Sequence, residues 1–295
     1  MPAKLITVAF AASSITLLGS CSDKPADDVK AFLHSDGVKQ VAAWGTQAVL
    51  TLFMPGDAPI EPAQDRQTQP HGPLVSAKDA VGHRDFAQAK KVLPRVYAGM
   101  EEEFYCGCQY SGKTIDWSSC GFEPRKNAER ARRLEWEHVV PAWTIGHLRQ
   151  CWQNGGRKNC TATDPVFQEA EGDLVNLVPA IGEVNGDRSN FPYSAWSRDP
   201  EPIYGQCKTV IDFKAKKAQP REEVRGRAAR ISLYMSERYQ LRLSKQDKQL
   251  FCAWAKTYPV DAWETQRDQR IIAIQGNGNP FVSDAGHLQQ YCQGG

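Results

Sequence analysis

Residues 135–143 read EWEHVVPAW: two carboxylates, an imidazole and two indoles set around a pair of valines and a proline. The apolar neighbours predict a half-buried strand. Successive strand side chains point to opposite faces, so Glu137 and His138 cannot both be ordinary surface residues. One reading is a metal-ligating carboxylate beside an imidazole that acts as general base. Alone, a Glu-His step on a strand is more often structural, so the surroundings decide.

Three clusters follow downstream. GGRKNC, residues 155–160, sets Arg157 in a glycine-loosened loop between Cys151 and Cys160. In EGDLVNL, residues 171–177, Glu171 and Asn176 flank a predicted helix or turn start. GEVNGDRSNFPYS, residues 182–194, places Asn185, Asp187, Arg188 and Asn190 directly after the apolar run LVNLVPAI. A solvated loop would account for the first, and a turn for the last. Yet the density of amides and charges after a buried segment exceeds what one turn requires.

A chain of 295 residues can bury a full core as one large domain or two small ones. Its 24% charged and 41% hydrophobic residues are those of a soluble globular protein. The net charge of +2 is unevenly spread, −3 over residues 22–83 and +4 over residues 84–295. A basic C-terminal body permits a polyanionic partner. Basic residues also cluster, eight against four acidic in 123–158 and eight against three in 208–230.

The first 21 residues, MPAKLITVAFAASSITLLGSC, join one positive charge to an apolar run that ends at a cysteine. The run is too short for a bilayer span, which needs roughly 20 apolar residues, and reads as a signal peptide. Leu18-Gly19-Ser20-Cys21 resembles the lipobox of bacterial lipoproteins, whose cysteine is acylated; a plain secretory signal is the alternative. Of nine cysteines, removing Cys21 leaves Cys106, Cys108, Cys120, Cys151, Cys160, Cys207, Cys252 and Cys292, an even set able to form four disulfides in an oxidising compartment. Cys106 and Cys108 are too close in sequence to be expected partners. Residues 22–83 hold a linker rich in proline, glycine and polar residues, and VAAWGTQAVLTLF within them is again too short to span. Helices are predicted in DFAQAKKVLPRVY, kinked or ended by Pro94, and in 222–243 and 245–256. Residues 104–165 should be loop-rich and cross-linked.

The segments EFYCGCQY, IDWSSCGF, RKNAERARRLEWEHVVPAW, GGRKNC, DLVNLVPAIGEVNGDRSNF, YGQC, YPVDAWE and IQGNGNPFV occur in the order seen in the bacterial endonuclease I family, which the chain resembles from about residue 84 to 282. The resemblance implies an α+β fold, loop-rich and disulfide-bonded, with a ββα-metal (His-Me finger) core: a β-hairpin and a helix gripping one divalent ion. It implies a catalytic domain over 84–295. By position, His138 matches the general base, Glu137 and Asn185 the metal ligands, Arg157 the arginine on the scissile phosphate, and Glu171 an acidic residue supporting the base.

The chemistry fits those residue types. A neutral imidazole, with an ordinary pKa of ~6.5, can take a proton from water near neutral pH. Glu137 and Asn185 offer oxygen ligands for a hard ion, Mg²⁺ first, with Ca²⁺ or Mn²⁺ as alternatives. Arg157 brings a planar donor fork to phosphate. Lys158, Arg188, Lys214, Lys216 and Lys217 are candidate phosphate contacts beside it, positioning the backbone without reading bases. The expected enzyme is a non-specific endonuclease on double- and single-stranded DNA and RNA, leaving 5′-phosphate and 3′-hydroxyl ends. It is expected to be a monomer outside the cytoplasm, held by its lipid at a membrane facing the periplasm or cell surface, or else soluble.

Val175 stands where the family often has histidine, and Gly278 in GNGNP where GNHNP is common. Cys252 and Cys292 sit at less familiar places and are expected to pair with each other. One rival is a catalytically inactive nucleic-acid-binding envelope lipoprotein. Another is a zinc hydrolase, for which no H-x-x-x-H or H-E-x-x-H spacing exists.

Overall fold

The computed structural model describes residues 85–196 and 201–294. The signal segment, Cys21 and the linker within 22–83 lie outside the described residues. The chain opens with α1 (Phe86–Val96), capped by the Asp85 carboxylate, which accepts from Gln88 N at 2.8 Å. Pro94 lies in its last turn, and Ala89, Leu93 and Val96 form its buried stripe.

The next stretch is irregular and cross-linked. The short hairpin β1 (Tyr110–Ser111) and β2 (Thr114–Ile115) sits among Cys106, Cys108 and Cys120. Glu103, fully buried, organises the turn before it. Its carboxylate accepts main-chain N–H groups from Tyr105 at 3.0 Å, from Cys106 and Cys108, and from Ile181. Buried backbone donors need such partners.

The central unit begins after α2 (Ala128–Ala131). Strand β3 (Leu134–His138) pairs antiparallel with β4 (Leu177–Ile181), Glu137 opposite Val178 and His138 opposite Leu177. The strands are not joined by a tight hairpin turn. Residues 139–176 intervene, carrying α3 (Ala142–Gly146), α4 (Gln150–Gln153), α5 (Gly156–Thr163) and α6 (Pro165–Gly172). Every residue of β4 is buried, as befits a continuous apolar run. The chain passes straight from it into α7 (Gly182–Arg188), which packs on both strands.

Two details fix α7. Glu183 in its first turn accepts the N–H groups of Arg125, Lys126 and Asn127, satisfying that loop and complementing the helix N-terminus. The helix stops at Ser189, whose φ of 52° cannot continue it.

The remainder is a second short hairpin, β5 (Val210–Asp212) and β6 (Lys217–Gln219), then α8 (Glu222–Arg238), α9 (Lys245–Thr257), α10 (Ala262–Gln275), α11 (Pro280–Ser283) and α12 (Ala285–Gln293). The predicted helix over 222–243 ends early, at Arg238, because Gln240 takes a positive φ of 53°. Arg267 of α10 braces the entry to β4, donating to Tyr97 Oη at 2.7 Å and to the carbonyls of Leu174, Val175 and Leu177. The architecture is α+β with four disulfides: Cys106–Cys207, Cys108–Cys120, Cys151–Cys160 and Cys252–Cys292. The last joins α9 to α12, the pairing expected from the sequence.

Candidate active site

The last two residues of β3 are both buried, Glu137 at 4% and His138 at 7% exposure, on opposite faces of the strand. Each face supplies a different environment.

On the His138 side, Nε2 lies 2.8 Å from the main-chain oxygen of Glu171, where α6 ends. A carbonyl only accepts, so Nε2 carries the hydrogen and the neutral ring keeps its lone pair on Nδ1. Phe86 of α1 packs 4.6 Å from the ring. Burial, then the positive charges of Arg157, Arg188 and Lys90, push the imidazole down to about 3, against the Glu171 carbonyl, which favours the charged form.

Opposite, the Glu137 carboxylate meets donors. Its Oε1 accepts from Tyr105 Oη at 2.6 Å and from Arg188 Nη1 at 2.7 Å. Burial pushes this carboxyl up; Arg188 is the strongest opposing influence, followed by the Tyr105 hydrogen bond. The Tyr105 phenol is itself held far above its ordinary value by burial, with Glu137 adding to the rise, and stays a donor.

Arg188 is the residue that sequence reasoning misplaced. Expected among the phosphate contacts, it is 1% exposed, and Nη1 and Nη2 also donate to the carbonyls of His138 at 2.9 Å and Val139 at 2.6 Å. The Tyr193 ring covers its guanidinium at 4.7 Å. It is an internal cation, because the face of α7 that bears it is the face packed on β3.

Asn185, three residues earlier on α7, donates from Nδ2 to Glu135 Oε2 at 3.0 Å. Arg157 on α5 pairs with the Glu171 carboxylate at 2.5 Å, and Thr161 Oγ1 adds a second donor at 3.1 Å. Glu171 thus faces two ways: its carbonyl meets the imidazole and its carboxylate meets the arginine. The Arg157 side chain remains 46% exposed.

Glu137, His138, Arg157 and Asn185 all line one cleft of about 990 Å³. Its cationic wall is Lys90, Lys113, Arg130, Arg132, Arg133 and Arg157, facing only Glu135 and Glu137 as acids. Lys158 is exposed on α5 outside that lining, and Lys214, Lys216 and Lys217 are exposed on the β5–β6 hairpin, also outside it. Phe213 of that hairpin lies over Arg125 at 4.4 Å, and Arg125 pairs with Asp187 of α7 at 3.0 Å, so the lysines stand beside the helix rather than in the cleft.

Lys90, Lys113 and Tyr105 escaped sequence reasoning, since their residues come from distant elements and no local spacing marks them. Glu135 had a signal: period two puts it on the same face as Glu137.

Glu137 and Asn185 bring a carboxylate and an amide to the lining of the cleft. Among the described residues no group of three or more His, Cys, Asp or Glu could hold a metal, so a tetrahedral nitrogen and sulfur site has no donor set there. One carboxylate and one amide suit a hard, mostly hydrated ion such as Mg²⁺.

Residues 74–286 match the family model described as Endonuclease I. The chain is 53% identical over 215 residues to an extracellular deoxyribonuclease of Aeromonas hydrophila, covering 71% of this chain and 93% of that protein. It is 52% identical to a periplasmic deoxyribonuclease of the same organism, over 67% of this chain and 84% of that one. To an Endonuclease-1 of Buchnera aphidicola subsp. Baizongia pistaciae it is 47% identical, over 68% and 83%.

Proposed function

The chain belongs to the endonuclease I family and is an endonuclease, and from that premise we propose that it hydrolyses DNA and RNA phosphodiesters outside the cytoplasm, with His138 as general base and one divalent cation at Glu137 and Asn185. The observation that carries this reading is the Nε2 hydrogen bond to the Glu171 carbonyl, which commits the Nδ1 lone pair to accepting a proton within a cation-lined cleft.

His138 Nδ1 takes a proton from water, and the resulting hydroxide attacks phosphorus while the P–O3′ bond breaks and the departing 3′-oxygen takes a proton from solvent. The products are then 5′-phosphate and 3′-hydroxyl ends. A phosphate entering beside Arg157 and Lys90 offsets two of the charges that depress the imidazole, raising its basicity when substrate is present. Arg157 donates to a phosphoryl oxygen, and its Glu171 partner aims the guanidinium. Glu137 Oε2 and Asn185 Oδ1 would hold the cation, which when bound withdraws charge from the phosphate and steadies the leaving oxygen. Arg188 and Tyr105 favour the ionised form of the Glu137 carboxylate against its burial and orient it for that task.

The remaining cations of the cleft wall, with Lys158 and the 214–217 hairpin as outlying contacts, track the backbone and give little base preference. Four disulfides suit an oxidising compartment. The relatives' names, extracellular and periplasmic deoxyribonuclease, support the same location. The N-terminal signal would deliver the chain there, and Cys21 would carry its lipid.

Supercoiled plasmid incubated with the purified protein and Mg²⁺ should be nicked, then degraded. EDTA should stop the reaction and added Mg²⁺ restore it, while new 5′ ends should accept label from a kinase only after phosphatase treatment. Plasmid left intact, as an inactive DNA-binding lipoprotein would leave it, or cleavage undiminished by EDTA, would overturn the reading.

A further inference from the structure

An asparagine can ligate a cation through only one end of its amide; the other end repels it. The partner across from Asn185, the Glu135 carboxylate, decides which end faces the cleft. Period two places Glu135 and Glu137 on one face of β3, and i, i+3 spacing places Asn185 and Arg188 on one face of α7. The two faces meet as parallel rungs: Glu137 to Arg188 at 2.7 Å and Glu135 to Asn185 at 3.0 Å. A carboxylate only accepts, so the end of the Asn185 amide against Glu135 must be the NH₂ group. Oδ1 is thereby left for the cleft.

Glu135 is not free to swing into that role for itself. Arg130 grips it with two bonds, Nε at 3.0 Å and Nη2 at 2.8 Å. Helix α7 keeps room for the pair. A Cβ at Gly186 would lie 2.0 Å from Arg130 Nη1, and one at Gly182 would lie 2.9 Å from Glu135 Oε1. Both glycines of GEVNG thus sit where any side chain would displace the Arg130–Glu135 unit.

Resting on the reading of Asn185 as a cation ligand, we infer that Glu135, held by Arg130, is a positioning residue that sets the amide of Asn185 with its oxygen toward the cation. It ligates nothing; it excludes the wrong flip.

The test is binding of Mn²⁺ alone to the purified full-length protein, followed by electron paramagnetic resonance, in Glu135→Ala, Asn185→Ala, Asn185→Asp and the double variant of Glu135→Ala with Asn185→Asp. Glu135→Ala should weaken Mn²⁺ binding about 10–100-fold, the usual cost of losing a residue that orients a ligand. An aspartate at 185 has no wrong end and stands beside a like charge. In the Asn185→Asp background, removing Glu135 should therefore leave binding unchanged or tighten it. A loss of equal size in both backgrounds would mark a merely structural role and overturn the inference. So would unchanged binding in Glu135→Ala while Asn185→Ala binds poorly. Unchanged binding in Asn185→Ala would overturn the ligand reading itself, and the inference with it. If Glu135→Ala fails to fold, Glu135→Gln takes its place: it keeps an acceptor for Asn185 without the charge that secures Arg130, and a smaller loss is expected, again absent beside Asn185→Asp.

Discussion

The two faces of β3 solve opposite problems at nearly equal depth. Glu137, at 4% exposure, is supplied with a guanidinium and a phenol, which favour the charged carboxylate against the burial that pushes it up. His138, at 7%, is supplied with a carbonyl, an aromatic ring and distant cations, so a buried imidazole loses its charge. Burial alone would neutralise both groups. The partners that each strand face recruits, not depth, separate the proposed cation ligand from the proposed base.

The sharpest way to break this contrast is His138→Ala. Cleavage should fall about 10²–10⁴-fold, the usual yield of a positioned general base, as read by plasmid nicking rates with the fold checked by circular dichroism. A variant that nicks at the parental rate would remove the imidazole from the chemistry.

Next in size is Arg188→Met, which leaves Glu137 buried without its counter-charge. We expect about 3–5 kcal/mol of lost stability in urea unfolding, the cost of breaking a buried pair from one side. Adding Glu137→Gln should recover part of that loss; an Arg188→Met protein as stable as its parent would mean the pair does not govern this face.

Tyr105→Phe removes one hydrogen bond to the same carboxylate. The expected loss is about 1.5–3 kcal/mol by the same measurement, and a change near zero would leave Arg188 as the only partner that matters.

The smallest expected effect is on the other face. With the free-enzyme imidazole lowered to about 3, the base form persists as pH falls through ~6.5, where an ordinary imidazole protonates. At saturating Mg²⁺, kcat/KM should show no acidic limb centred there. The linked stability has the matching sign. The unfolded ring binds its proton first, so stability from this site is full above ~6.5 and is lost as pH falls towards the folded value. A limb near 6.5 in kcat/KM would show that His138 titrates as if exposed.

Much of this site was legible from EWEHVVPAW because strand alternation forces neighbouring residues into different environments. The pairing of Cys252 with Cys292 and the bounds of α9 within one residue were legible too. Arg188 was misread because a basic residue in a polar segment looks like surface, and only the packing of α7 on β3 reveals it as internal. The pairing of 134–138 with 177–181 was not legible, because residues 139–176 lie between them and sequence order does not tell how far an antiparallel partner is displaced along the chain. Arg130, Arg132 and Arg133 were visible only as a basic run, and it took the fold to set them along one wall with Lys90 and Lys113.

The acceptor that selects the tautomer of His138 belongs to the main chain. Since every residue type at position 171 carries the same C=O, mutation there can erase the grip on Arg157 while the imidazole keeps its proton on Nε2. Natural variation is therefore free to retune the proposed hold on phosphate without reassigning which imidazole nitrogen keeps its lone pair.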